Sequence, residues 1–223
     1  SLCTVRQILK EVLPNTCHLA TLSGPTFAFE IAREVPSAIV AAAETNTQAD
    51  RIQEIFSCPY LKVFTSDDPI GVELGGALKN VIAIAAGICK GIGFGDNTIA
   101  ALITRGTKEL SRLGLVFGAK RETFFGLSGM GDLIVTATSN HSRNRKVGEW
   151  IGNGLTLEQI SEKMNMLAEG VDTTLAINKL AEIKNIEMPI CKEVFHILFE
   201  DKNTVIAMGD LMTRELISEY SNN

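Results

Sequence analysis

The stretch Gly71–Lys90, GVELGGALKNVIAIAAGICK, decides the architecture. Its apolar residues Val72, Leu74, Ala77, Leu78, Val81, Ile82, Ile84, Ala85 and Ile88 recur at helical spacing and cover most of the circumference, the pattern of a helix enclosed by protein. The longest unbroken apolar run in it, Val81 to Ile88, is too short to span a bilayer. A helix apolar all round needs further helices to bury it, and the sequence downstream supplies them. Asn97–Arg112 reads as a helix with Asp96 or Asn97 as its N-cap. Thr156 and Gln159 form a capping box that starts a helix reaching about Asn165. Val171–Lys184 keeps the helical period, Pro189 opens a helix to Phe199, and a last one runs from Thr204 to about Ile217.

Upstream the pattern changes. Val5–Leu13 is helical and is ended by Pro14; His18–Leu22 is a short apolar strand that stops at the turn SGPT. Phe27–Glu34 reads as a helix broken by Pro36, Ser37–Ala43 as a strand buried on both faces, Gln48–Phe56 as a helix and Leu61–Phe64 as an edge strand. Alternation of this kind predicts crossovers and a mostly parallel sheet. The expected organisation is an α/β remnant of a Rossmann-like parallel sheet over residues 1–68, followed by an all-α helical domain over residues 69–223. The chain begins without methionine and already in a helical pattern, so it is read as a piece of a longer one.

Charge narrows the partners. A net charge of −5 and a pI near 5.3 disfavour nucleic acid and anionic membrane, so an anionic ligand must be met by a local basic site. Five scattered cysteines without a CxxC pair suit reduced thiols, each read as a small buried apolar side chain, and the three histidines show no ligand spacing; no metal is assigned. These features place the protein in the cytoplasm.

Four segments can carry chemistry. Lys79 lies in the middle of the enclosed helix, where burial disfavours its ammonium, and a lysine tuned toward neutrality can exchange a proton with an alcohol. The plain alternative is an ion pair with Glu73 or Asp132, or a side chain that snorkels to water. Gly75 and Gly76, one turn earlier, each cost a helix roughly 1 kcal/mol relative to alanine, which close approach of a ligand, a backbone or another helix would explain. FGLSGMGDL, Phe125–Leu133, suggests a tight turn with positive φ at Gly126, Gly129 and Gly131, leading to Asp132. TSNHSRNRK, Thr138–Lys146, gathers Ser142, Arg143, Asn144, Arg145 and Lys146 where a helix starts, which is either a phosphate site or a solvated basic turn. The SGPT turn, Ser23–Thr26, leaves a strand end, where ligands of open α/β sheets sit. The glycines of GIGFGDN, Gly91, Gly93 and Gly95, follow a helix instead of a strand and are not read as a nucleotide site.

Taken in order, SGPTFAFEIA, GVELGGALKNVIAIAAGICKGIGFGDN, ALITRG, GLSGMGDLIVT, NHSRNRKVG and AEGVDT resemble the bacterial-type NAD(P)-dependent glycerol-3-phosphate dehydrogenases through almost the whole chain. The family's opening strand, GxGxxG turn and helix have no counterpart here, and a family lysine behind a later strand also precedes this sequence. The resemblance implies reversible oxidation of sn-glycerol 3-phosphate to dihydroxyacetone phosphate with NAD or NADP, serving phospholipid synthesis. It also implies a homodimer and a helical substrate domain like the C-terminal one of 6-phosphogluconate dehydrogenase. Lys79 matches the family's general acid/base and a substrate contact. Gly24, Thr26, Asp132, Ser142, Arg143 and Asn144 match substrate-binding positions, and Ala28, Arg143, Leu167 and Glu169 match cofactor contacts. Two rivals are a reductase acting on a hydroxy acid and a helical dimerisation or regulatory module without turnover. These residues alone are expected to bind dinucleotide poorly.

Overall fold

The computed structural model describes residues 3–14, 16–164, 166, 168–216, 218 and 219. The chain begins with α1 (Val5–Val12), opened by Thr4 and Gln7 in a capping box. Then follow β1 (Ala20–Ser23), α2 (Ala28–Ile31), β2 (Ser37–Ala43), α3 (Asn46–Phe56) and β3 (Leu61–Ser66). The strands form one sheet in the order β1-β2-β3, so β3 lies at an edge as its alternation predicts. β2 and β3 are parallel, with Ser37 opposite Leu61, and α3 makes the crossover between them. Ala41, Ala42 and Ala43 are fully buried, as expected of a strand covered on both faces.

β1 departs from the expected parallel sheet. It pairs with β2 antiparallel, Ala20 opposite Ala43 and Ser23 opposite Val40. The cause lies in the connection: the helix expected over Phe27–Glu34 shrinks to the single turn α2, which cannot carry the chain back along the strand. The backbone instead reverses, Glu34 taking a left-handed φ of 59° just before Pro36.

Asp68 begins the helical part. Its Oδ1 accepts from the N–H of Gly71, capping α4 (Pro69–Gly91), and its Oδ2 accepts from Lys120 N–H and Thr123 Oγ1. By length and composition α4 could cross a membrane, yet 78% of its most apolar window is buried inside the protein. It is the axis of the core that the apolar pattern implied. Around it lie α5 (Asp96–Val116), α6 (Asp132–Thr138), α7 (Arg143–Gly152), α8 (Leu157–Lys163), α9 (Glu169–Lys184), α10 (Pro189–Phe199) and α11 (Thr204–Met212). α5 is capped by Gly95 without a side-chain bond, not by Asp96 or Asn97; Asp96 falls in the first turn, where its charge complements the helix dipole. The Thr156–Gln159 capping box is present at α8. α8 ends at Lys163, close to the expected end near Asn165. The last helix stops at Met212, short of the expected Ile217: Thr213 caps it and residues 213–216 are not helical. Asn165 and Ile217 themselves lie outside the described residues.

α7 packs most closely on α4. Gly87 and Gly91 face Gly148 and Gly152, and a Cβ on any of the four would overlap the partner helix's backbone. Only glycine allows that approach, and it draws the start of α7 against the middle of α4. Of the cysteines, Cys89 and Cys191 are buried. Cys3, Cys17 and Cys58 are exposed, contrary to the buried reading, because they fall in connecting segments outside the two cores. Cys17, Cys58, Cys89 and Cys191 are thiols outside any disulfide.

Candidate active site

Lys79 projects from the middle of α4, its side chain 17% exposed, and its Nζ forms an ion pair with Oδ1 of Asp132, the first residue of α6. The ion-pair alternative read from the sequence is thus realised with one of its two named partners. Thr136 Oγ1 donates to the Asp132 carbonyl at 2.6 Å and stands 3.4 Å from its Oδ1. Burial pushes the Asp132 carboxyl above its ordinary value, opposed by the Lys79 ammonium and the Thr136 hydroxyl.

The backbone that delivers Asp132 is a 3-10 turn, Arg121–Phe125, running into a π turn, Leu127–Gly131. The expected positive φ at Gly126, Gly129 and Gly131 is absent; among the described glycines it occurs at Gly24, Gly93, Gly118 and Gly154. What demands glycine here is proximity. A Cβ on Gly129 would overlap the Phe124 carbonyl, and one on Gly75 would stand 2.8 Å from the Ser128 carbonyl, so α4 and the π turn touch backbone to backbone. The helix-breaking glycines beside Lys79 therefore serve packing, one of the explanations left open above.

The SGPT turn closes on this pair from the sheet side. Gly24 adopts φ 155° and lies against Ile39 of β2. Ser23 Oγ lies beside Gly76, one turn from Lys79, and the Pro25 ring lies beside Gly131, next to Asp132. Thr26 Oγ1 donates to the Gly24 carbonyl at 3.4 Å, and exposed Ala28 opens α2.

The third wall is the start of α7. Ser142 is its N-cap, Oγ accepting from Arg145 N–H at 3.2 Å. Asn144 is buried; its Nδ2 donates to Oδ1 of Asn80, the neighbour of Lys79, and its Oδ1 accepts from Gly170 N–H. Arg143 is half-exposed, with Nη2 3.6 Å from Oε1 of Glu169 at the start of α9. A cavity of about 520 Å³ opens beside this turn, lined by His141, Ser142, Arg143, Lys146, Trp150 and Lys163 among others. Neither Lys79 nor Asp132 lines it.

The structure therefore brings Lys79, Asp132, Gly24, Thr26, Ser142, Arg143, Asn144 and Glu169 into one region. Ala28 makes no side-chain contact that fixes a role, and Leu167 lies outside the described residues. Sequence reading missed Asn80, a polar residue in an otherwise apolar stretch, which was a usable signal. It also missed Thr136, for which no local signal exists. A dinucleotide fits this wall in part: the exposed guanidinium of Arg143 and the N-terminus of α7 suit an anionic or amide group, whereas no GxGxxG turn following a strand occurs in these residues to cradle a pyrophosphate.

A three-stranded α/β part whose strand-end turn abuts a buried-helix lysine, itself paired with the aspartate that opens α6, defines a site between a sheet and a helical bundle. The family model described as NAD-dependent glycerol-3-phosphate dehydrogenase C-terminus matches residues 68–209, and the N-terminus model matches residues 1–49. The chain belongs to the NAD-dependent glycerol-3-phosphate dehydrogenase family. It is 52% identical over 221 residues to glycerol-3-phosphate dehydrogenase [NAD(P)+] of Geobacter sp. (strain M21), covering 98% of this chain and 66% of that protein. The same enzyme of Citrifermentans bemidjiense is 51% identical over the same shares. Among solved structures, glycerol-3-phosphate dehydrogenase of Coxiella burnetii superposes with TM-score 0.88 at 38% identity over 94% of this chain and 64% of that one. The Plasmodium falciparum structure, TM-score 0.87 at 23% identity, shares the fold. The chain thus spans about two thirds of the length of the curated relatives it matches.

Proposed function

We propose that the protein acts as a glycerol-3-phosphate dehydrogenase, interconverting sn-glycerol 3-phosphate and dihydroxyacetone phosphate with NAD or NADP. The observation that carries the reading is the Lys79–Asp132 pair beside an arginine-bearing helix start. In the reducing direction, the ammonium of Lys79, aimed by Asp132, hydrogen-bonds the ketone oxygen and gives it a proton as negative charge develops there. In the oxidising direction the amine takes the hydroxyl proton back. When bound, the nicotinamide supplies or accepts hydride at C2. Arg143 and the N–H groups at the start of α7 hold the phosphate, which fixes C2 relative to Lys79; positioning of this kind lowers a barrier by roughly 7–11 kcal/mol. Because the Ser142 hydroxyl caps α7 and Asn144 is tied to Asn80 and Gly170, Asn144 offers substrate its second Nδ2 hydrogen, and Ser142 its hydroxyl proton.

Gly24, Thr26 and Asp132 complete the substrate wall in this reading. Ala28, Leu167 and Glu169 are assigned to the cofactor, and Arg143 to both ligands. Division into residues 1–68 and 69–223, a homodimer, a cytoplasmic setting and a role in phospholipid supply belong to the same proposal and rest on the family likeness. Residues 1–223 alone are expected to be nearly inactive. The test compares glycerol 3-phosphate with glycerol and short hydroxy acids as hydride donors to NAD and NADP, in protein of the family's full length. Oxidation confined to the phosphorylated substrate is expected. A preference for hydroxy acids would replace this reading with the rival reductase.

A further inference from the structure

The turn that carries Ser142 and Arg143 meets the sheet side of the protein through aromatic rings. The His141 ring lies 4.6 Å from that of Phe29 and 6.0 Å from that of Phe27, centroid to centroid, and the two phenyl rings stack on each other at 5.9 Å. Phe27 caps α2 and directly follows Thr26 of the SGPT turn, whereas His141 directly precedes Ser142. The rings therefore join two segments proposed to bind the same substrate from opposite walls.

Each side of that contact is built to transmit position. His141 N–H donates to Ser139 Oγ at 3.1 Å, Ser142 N–H to the Ser139 carbonyl at 3.3 Å, and Arg145 Nη1 to Asn140 Oδ1 at 2.9 Å. The turn is thus tied to α7 at its base, and displacement of the His141 ring displaces Ser142 and Arg143. On the other side α2 is a single turn of four residues without a capping side chain, so it needs outside support. Inward, the same walls meet where Ser23 lies against Gly76 and Pro25 against Gly131. The ring contact is a second anchor, away from Lys79.

We propose that His141 is a positioning residue: packed at a tilt against Phe29, it sets the spacing between the SGPT turn and the phosphate-binding turn, and through Arg143 the affinity for a phosphorylated three-carbon substrate. This rests on the proposed function. An aromatic pair contributes enough for its loss to raise the Michaelis constant about three- to tenfold. In protein of full family length, His141→Ala and Phe29→Ala should each raise KM for glycerol 3-phosphate by that factor, leaving kcat within about twofold. His141→Phe should restore KM, and the double alanine variant should be no worse than either single one. An unchanged KM, no rescue by phenylalanine, or additive losses would overturn the proposal. A second measurement needs no turnover: Phe29→Ala should speed amide hydrogen exchange at residues 141–144, on the far side of the contact. Unchanged exchange there overturns the clamp. A wild-type protein inert toward glycerol 3-phosphate overturns the functional reading, while the exchange result still decides the clamp.

Discussion

Nδ2 of Asn144 donates to Oδ1 of Asn80 at 3.0 Å, both side chains buried, so the residue beside Lys79 and the residue beside Arg143 are joined directly. The same amide accepts from Gly170 N–H at 2.9 Å and thereby holds α9 to the pair. Asn144→Ala leaves a buried amide and a buried N–H without partners, which should cost about 1–3 kcal/mol. Urea unfolding of the variant measures this, and a midpoint equal to that of wild type would show the link to be dispensable.

Lys79→Ala removes the proposed proton donor. Turnover should fall by about 10²–10⁴-fold, with the circular dichroism spectrum retained. Lys79→Arg should not recover it, because a guanidinium does not release its proton at accessible pH. Near-normal turnover of either variant eliminates the proton-transfer role.

Arg143→Ala should act on binding. The side chain is 46% exposed and its tie to Glu169 is 3.6 Å long, so its loss should change stability by less than about 1 kcal/mol. KM for the phosphorylated substrate should rise and its dependence on salt should weaken. A KM unchanged at low salt excludes Arg143 from the phosphate site.

Glu109 is a buried carboxylate on α5 that accepts from Ile190 N–H at 2.7 Å and from Cys191 N–H at 3.2 Å, capping α10. Burial pushes its pKa up to about 7 from 4.5, against the pull of those two amides. Between these values the folded state holds the proton more tightly than the unfolded chain does. Stability therefore falls as pH rises from about 4.5 to about 7, by about 3 kcal/mol from this group. Glu109→Gln should flatten that slope in urea titrations at pH 5 and 7.5; an identical slope would show that Glu109 is not its source.

Gly148 and Gly209 make a matched pair of helix glycines. A Cβ on Gly148 meets the Ile84 carbonyl of α4, whereas one on Gly209 meets nothing within 4 Å. Gly148→Ala should destabilise by at least about 1–3 kcal/mol, and Gly209→Ala should stabilise by about 0.4–1 kcal/mol. Thermal melts of the two variants moving in the same direction would contradict the close α4–α7 approach.

Local pattern made much of this legible in advance. Ser37–Ala43 and Pro189–Phe199 have the bounds their sequence implies, because an unbroken apolar strand and a proline-initiated helix carry their own limits. α6 is short, and the π turn before it is shaped by contact with α4, so neither has a readable period. The antiparallel seating of β1 was hidden because strand direction depends on where the connecting turn sends the chain, not on the strand's composition.

The order of most elements, the enclosure of α4 and the residue types at Lys79, Asp132 and Ser142–Asn144 were determined by sequence, through periodicity and turn chemistry acting over a few neighbouring residues; α6 and the π turn before it were not. Tertiary structure decided which of those groups meet: Lys79 with Asp132, Asn80 with Asn144, Phe29 with His141, Glu109 with the start of α10. Such meetings join segments remote in the chain. They are set by how closely backbones can approach, through Gly75, Gly87 and Gly148, and only the packed protein expresses that.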